Sequence, residues 1–416
     1  MSESVRDLLV RGVAAAKAKE GDEACFYLEW VLRLDPSADQ RVEALFWLSE
    51  VCADPQEKRG YLEEALIYQP NYYPARRGLA VLNGRLDPGE IVDPDHLPAS
   101  AGEERTPGAQ RFDCPQCGGP LTYAPDGQSL VCKHCQHKQS ILNQPFESEQ
   151  ASPENDFTLA LSTAKGHRRP VATPTFKCQA CGAIFLLSPG TLSMTCPYCG
   201  SVYVVASSEQ RELIPPQGII PFMIAREQAE QALQTSLKEK GLTLPVKPAP
   251  LRGLYLPAWT FNLTCLIPWE YSGDDEAIWA PRSGRELISY DNIVVPAILN
   301  LAGVWVGDPN TYPLDLVKVF KPAYLADIPA ETYQISLSDA SLSAREAALE
   351  RARAQIAREL SVPERLLKLD SSSLLIESFR LILFPLWLSD YLYKGKRTQI
   401  LVNGATGTVL SEKNGV

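Results

Sequence analysis

The sequence predicts a multidomain chain: α-helical hairpins at the amino end, two small cysteine-clamped β modules in the middle, and a carboxyl-terminal α+β domain with an internal duplication. Three observations predict it. Residues 1–88 match themselves at an offset of 34 positions, two pairs of CxxC motifs share one spacing, and a helix-then-strand pattern occurs twice after residue 207. At 416 residues the chain exceeds one ordinary core, so two to four domains are expected.

The repeat aligns "YLEWVLRLDP" with "YLEEALIYQP", placing Tyr27, Leu28, Glu29, Leu32 and Pro36 on Tyr61, Leu62, Glu63, Leu66 and Pro70. Ala44 then falls on Gly78, and Leu45 and Leu48 on Leu79 and Leu82. A 34-residue period is that of tetratricopeptide helix pairs, in which a small residue lets helices approach and a proline ends the second helix. Cys25 and Cys52 lie on these helices and are expected in their core. We expect these repeats over 1–88 and an exposed Pro/Gly-rich linker over 89–110.

Two modules follow, at 111–141 and 175–206, joined by a second linker at 142–174. In each, fourteen residues separate the CxxC pairs. A CxxC turn aims two sulfurs at one point, and the spacer supplies a hairpin, with turn signals "PDG" and "SPG". Glycine stands after three of the four pairs (Gly118, Gly182, Gly200), where a positive φ is wanted; Gln136 takes that place in "CKHCQHK". The pattern predicts two structural Zn2+ ions, one on Cys114, Cys117, Cys132 and Cys135, the other on Cys178, Cys181, Cys196 and Cys199. Iron in a rubredoxin-like site and a redox dithiol pair are the rivals. His134 and His137 are expected at the surface, because four thiolates already complete a tetrahedron.

Four thiolates leave no open position for a reactant, so these metals would build shape rather than perform chemistry. The net charge of -10 opposes long-range attraction to polyanions. From Phe157 to Ser208 there is no acidic residue, however, and Lys165, Arg168, Arg169 and Lys177 are the candidate nucleic-acid contacts. The first module, with Arg111, Lys133 and Lys138 against Asp113 and Asp126, has no such excess.

The α+β domain is expected over 207–416, with related halves at about 214–300 and 320–412. "RGLYLPAWTFN" (252–262) aligns with "RLILFPLWLSD" (380–390), placing Arg252, Pro257 and Trp259 on Arg380, Pro385 and Trp387. Helices are expected over 225–241 and 343–360, aligned through "ARExA". The prolines are expected at strand edges or bulges, a hairpin around Asn403 and Gly404, and Asp274 and Asp275 at a solvated hairpin tip. All four histidines precede residue 207 and Cys265 is the one cysteine after it, which excludes a Ser-His-Asp or Cys-His arrangement within this domain. No GxxxxGK[ST] segment occurs. No catalytic residue is assigned, and the chain is expected not to be an enzyme.

"YDNIVVPAILNL", "FKPAYLADIPAETYQISL" and "FPLWLSDYLYKGKRTQILVNGATGTVL" resemble the carboxyl-terminal domain of bacterial and archaeal transcription-factor-IIB-type zinc-ribbon proteins, some of which carry the label primosomal protein N-prime (replication factor Y). The likeness covers roughly 176–412, and the amino-terminal part resembles tetratricopeptide proteins fused to such modules. It departs at Asp327, where glycine is expected. The helicase label does not suit a chain without an ATP-binding loop. The resemblance implies a cytoplasmic adaptor, peripheral at the inner membrane face, whose partners belong to phage-shock or SPFH-type membrane-stress systems. Similar proteins continue into hydrophobic segments where this chain stops at Val416, which speaks against direct insertion. No stretch reaches eighteen apolar residues, and the amino end carries no h-region, so a reducing cytoplasm is expected. The expected function is a zinc-binding scaffold for protein partners; the alternative is a nucleic-acid-binding accessory factor acting through the ribbons.

Overall fold

The computed structural model describes residues 4–97, 108–141, 152–168, 213–239, 251–271, 282–298, 313–326, 328–331, 333–371, 374–393 and 396–411, with strand segments at 175–177, 184–186, 193–195 and 202–206. It shows a multidomain arrangement of helices and mixed sheets. Helices α1 (Val5–Lys17), α2 (Gly21–Arg33), α3 (Ala38–Val51), α4 (Pro55–Tyr68) and α5 (Tyr73–Leu82) form the amino-terminal region, each packed on the next. The first residues of α2 and α4 are 34 positions apart, and Pro36 and Pro70 follow the helix ends as expected. Small residues set the approach: a Cβ at Gly12 would lie 2.7 Å from Leu28, and one at Gly78 would lie 3.0 Å from Leu62. Cys25 and Cys52 are half-buried rather than core, and Cys52 caps the end of α3.

Strand β1 (Gly108–Arg111) begins within the last three positions of the expected first linker and ends at the first residue of the expected module. Strands β2 (Leu121–Ala124), β3 (Ser129–Cys132) and β4 (Lys138–Ser140) form the first cysteine module. Residues 152–168, inside the expected second linker, are also ordered into elements. They hold β5 (Asn155–Asp156) and the short helix α6 (Phe157–Ser162). Around the second cysteine set run β6 (Thr175–Lys177), β7 (Ile184–Leu186), β8 (Ser193–Thr195) and β9 (Val202–Ala206). The described pairs are β6 with β7 and β8 with β9, with β1 added to β9. The CxxC segments 178–181 and 196–199 and the spacer 187–192, where the expected "SPG" turn falls, lie outside the described residues.

The carboxyl-terminal domain contains β10 (Gly218–Ile219), α7 (Arg226–Glu239), β11 (Arg252–Tyr271), β12 (Arg282–Pro296), β13 (Lys318–Val319), α8 (Leu337–Leu360), β14 (Leu367–Leu369), β15 (Leu375–Tyr393), β16 (Lys396–Asn403) and β17 (Val409–Ser411). Its sheet runs β12-β11-β15-β10-β13, with β16 also against β15. Ser336 starts α8 earlier than the helical period indicates, because its hydroxyl accepts the Asp339 N–H. Asp274 and Asp275 lie outside the described residues, as does Asp327.

The two aligned strands are direct antiparallel neighbours. Arg252 pairs with Leu388 and Thr260 with Arg380, so the 252-to-380 alignment carries one pair into the other. Leu256 lies opposite its own counterpart, Phe384. A local two-fold axis therefore passes through that pair. The surrounding contacts obey it: Ala297 N–H donates to the Pro257 carbonyl as Gly404 N–H donates to that of Pro385. The Trp259 indole donates to the Ile335 carbonyl at 2.9 Å, and the Trp387 indole to that of Ile224 at 3.0 Å.

These contacts correct two expectations. Ile224 matches Ile335, so the helices correspond from their first turns, eight positions away from the "ARExA" register. Each helix also docks on the other half's hairpin: α7, which precedes β11, packs on β16 and β17, and α8, which precedes β15, packs on β11 and β12. Pro257 and Pro385 sit inside central strands rather than at edges. Their carbonyls point outward, so their imide nitrogens do too, at the points where the outer partner changes. On β11 that change is from Tyr255 bonded to Pro329 and Glu331 to the carboxyl-terminal end of β12; on β15 it is from β10 to β16.

Because Trp259 and Trp387 fill equivalent positions, Trp259→Ala and Trp387→Ala should each cost about 3–5 kcal/mol in urea unfolding. Trp259→Phe, which leaves the Ile335 carbonyl unpaired, should cost about 1–3 kcal/mol.

Candidate metal centre

Cys114, Cys117, Cys132 and Cys135 converge. Their sulfurs all lie within 4.8 Å of one another, with Cys114 and Cys135 3.5 Å apart and Cys117 and Cys132 3.5 Å apart. Four sulfurs at about 2.3 Å from a central ion would stand about 3.8 Å from each other, so the set is one small contraction from tetrahedral metal geometry. Cys114 and Cys132 are buried, and Cys117 and Cys135 reach solvent. These four residues can hold one metal ion. Cys178, Cys181, Cys196 and Cys199 lie outside the described residues.

Backbone geometry explains the convergence. In the first turn Gly118 N–H donates to the Cys114 carbonyl at 2.9 Å and Cys114 N–H to that of Gly119 at 2.8 Å. The second turn repeats this with Gln136 N–H on Cys132 and Cys132 N–H on His137. Both turns demand a left-handed residue: Gly118 has φ +70° and Gln136 φ +61°. His134 is exposed and outside the thiol cluster, and His137 is half-buried. The backbone N–H of Cys135 draws the Cys132 thiol below its ordinary pKa, against the effect of burial. Cys135 moves the other way: the His137 N–H pulls it down, but hydrogen bonding to Cys117 and the other thiols favours its protonated form.

The hairpin that brings the second turn back pairs Leu121 with Cys132 and Ala124 with Ser129. Its "PDG" turn has Gly127 at φ +76°. Asp126 accepts from the Gln128 and Ser129 N–H groups and meets Lys138 at 2.7 Å. Burial would raise its carboxyl, but Lys138 and the Ser129 hydroxyl outweigh burial and hold it at about 2.

Of the expected nucleic-acid contacts, Lys165 is exposed on the 3-10 turn Ala164–Gly166 and Arg168 is half-buried beside it. Arg169 and the Lys177 side chain lie outside the described residues. Lys165 and Arg168 belong to the segment that ties the helices to the sheet. Tyr73 bonds Ser162 at 2.8 Å, Arg85 meets Asp156 at 3.1 Å, and Phe157 is buried against Phe261 and Phe379. Glu154 completes the anchor by accepting from Asn262 and Ser378. The sequence signal for this anchor was the lone apolar run after "NDF", too short to separate from a linker.

Fold and site together define a class: a protein with a β module whose four clustered cysteines could hold one metal ion, seated on a duplicated α+β domain. No family model matches the chain, and no solved structure matches it. Over 323 residues it is 25% identical to the "Uncharacterized protein YdjG" of Bacillus subtilis (strain 168), across 72% of this chain and 89% of that protein. Among the described residues no helix is long and apolar enough to cross a membrane.

Gln136→Gly should raise the stability of the metal-loaded module by roughly 0.5–1 kcal/mol in thermal unfolding, since the left-handed penalty exceeds the added chain entropy. Asp126→Asn should lower stability by about 1 kcal/mol at pH 7. Because the folded carboxyl is depressed, its contribution is complete above its ordinary pKa of about 3.9 and disappears as pH falls through about 2. The variant and the native chain should therefore converge in acid, which titrated thermal melts would check.

Proposed function

We propose that this chain is a non-enzymatic zinc-binding adaptor that holds protein partners. Zn2+ suits the donor set: four thiolates at tetrahedral spacing are its structural coordination, and they leave no position for water or substrate. The second set of four cysteines, with the same spacing, would take a second Zn2+. The amino-terminal helices, read as tetratricopeptide-like, would present the partner surface, and partners from a membrane-stress system of the phage-shock or SPFH type are what the resemblance to zinc-ribbon proteins suggests.

The observation that carries this reading is the exposure of large apolar side chains on the first two helices. Phe26 is 60% and Trp30 40% exposed, their rings edge-to-face at 5.8 Å, with Val10 and Leu34 also open to solvent. Monomers seldom leave such aromatic groups uncovered, and Trp and aromatic residues dominate the energetics of protein contacts. The test is affinity capture from cells, with and without membrane stress, using the metal-loaded protein. Phe26→Ser with Trp30→Ser should reduce recovery of specific partners at least tenfold while leaving helix content unchanged. Equal recovery by the variant, or capture of nucleic acid alone, would refute the adaptor reading.

A further inference from the structure

We propose that metal occupancy of the Cys114, Cys117, Cys132 and Cys135 cluster controls access to the aromatic face at the centre of the duplicated sheet. The cysteine module is a lid on that face. Its apolar side, Leu121, Tyr123 and Leu130, shares one core with Ile219, Phe222, Tyr255, Tyr324 and Leu383. Those five sheet-side residues are 0% exposed. Buried Cys114 and Cys132 belong to the same core, so the sulfurs that would grip the ion are continuous with the packing that closes the sheet.

Three hydrogen bonds fasten the lid. Tyr123 N–H donates to the Ala326 carbonyl at 3.0 Å, and the Tyr123 hydroxyl donates to the Phe222 carbonyl at 3.0 Å. Lys318 Nζ donates to the Gly127 carbonyl at 3.0 Å. Gly127 comes so close to the domain that a Cβ there would lie 2.6 Å from Met223 Sδ. Beneath the lid the Tyr324 ring packs tilted against Tyr123, centroids 5.9 Å apart, and its hydroxyl is buried with no hydrogen-bond partner among the described residues. Phe222 packs at 5.0 Å on Tyr255 and 4.9 Å on Trp387.

The face under the lid is where the two-fold passes. Leu383 and Tyr255 are counterparts, as are Ile219, which pairs with Leu383, and Ala330, which bridges to Tyr255. One lid thus closes both halves at their junction. A module of about thirty residues cannot bury enough apolar surface within itself, so a bound metal would be what holds its turns in the shape that packs on the sheet. When the ion leaves, the lid loses the geometry that presents Tyr123 and Leu130, and water reaches an aromatic surface whose one free hydroxyl, that of Tyr324, lacks a partner in the closed state. The four thiols need not serve the module alone; they act on the sheet through it.

Hydrogen exchange with mass spectrometry on the full chain tests this, with zinc content measured by native mass spectrometry. Chelation should speed exchange at least tenfold over 217–224 and 318–326, leave peptides from α1 to α4 unchanged, and reverse on adding Zn2+. Cys135→Ser should carry one ion fewer and show the same opening without chelator. Tyr123→Ala, which keeps every thiol, should retain its zinc yet open the same two segments; Tyr123→Phe, which keeps the ring, should open them less. Unchanged exchange in a chain shown to have lost its zinc overturns the proposal while leaving the adaptor reading intact. Equal opening of α1 to α4 also overturns it, since metal loss would then act globally. A chain that never binds zinc at these cysteines overturns the metal assignment with it.

Discussion

The antiparallel ladder between β11 and β15 carries the rest of this molecule. Because Leu256 faces its own counterpart Phe384, the two halves of the domain form one continuous sheet around a single axis. That constraint decides where everything else attaches. The two tryptophans fall at matched distances on either side of the axis, and each pins the chain just before a helix by one indole hydrogen bond. Since each helix docks on the hairpin of the other half, neither half has a complete core by itself.

The cysteine module gains from the same sheet. It is too small to bury much apolar surface alone, and it draws on two sources of order, the convergence of four sulfurs and the aromatic floor made by Phe222, Tyr255 and Tyr324. Cys114 and Cys132 are buried in the core they share with that floor while Cys117 and Cys135 are exposed, so the sulfur cluster stands at the boundary between domain core and solvent. A structural ion in that position can stabilise its neighbour as well as its own turns. Residues 152–168 do the corresponding work at the other end: Phe157 enters the sheet's core, Glu154 accepts from Asn262 and Ser378, and Ser162 and Asp156 receive Tyr73 and Arg85 from the helices.

The features legible in the sequence were those whose determinants lie within a few residues. The CxxC spacing predicted the sulfur cluster, and the glycine after the second cysteine predicted a left-handed turn that Gln136 adopts even without being glycine. The "PDG" turn, the helix beginning at Arg226 and the hairpin after Asn403 follow from the same local chemistry. That hairpin's positive φ falls at Gly407, however, and Gly404 is small because a Cβ there would lie 2.5 Å from the Phe222 ring. The internal duplication was legible as a pattern, but "ARExA" misled about helix register, since five surface-weighted letters say less than which isoleucine accepts an indole N–H.

By itself the sequence determined the inventory: helices at a 34-residue spacing, a set of four cysteines that cluster closely enough to hold one ion, two proline- and tryptophan-bearing strands of one design. These are consequences of bond geometry, backbone preference and short-range periodicity, which act along the chain. Only the tertiary structure decided that equivalent strands would pair with each other, that their helices would cross to the opposite half, that the prolines would occupy central strands where partners change, and that a cysteine module would roof the axis. Those choices depend on complementary surfaces contributed by segments as much as 224 residues apart and more, and packing of that kind leaves no period in the sequence to read.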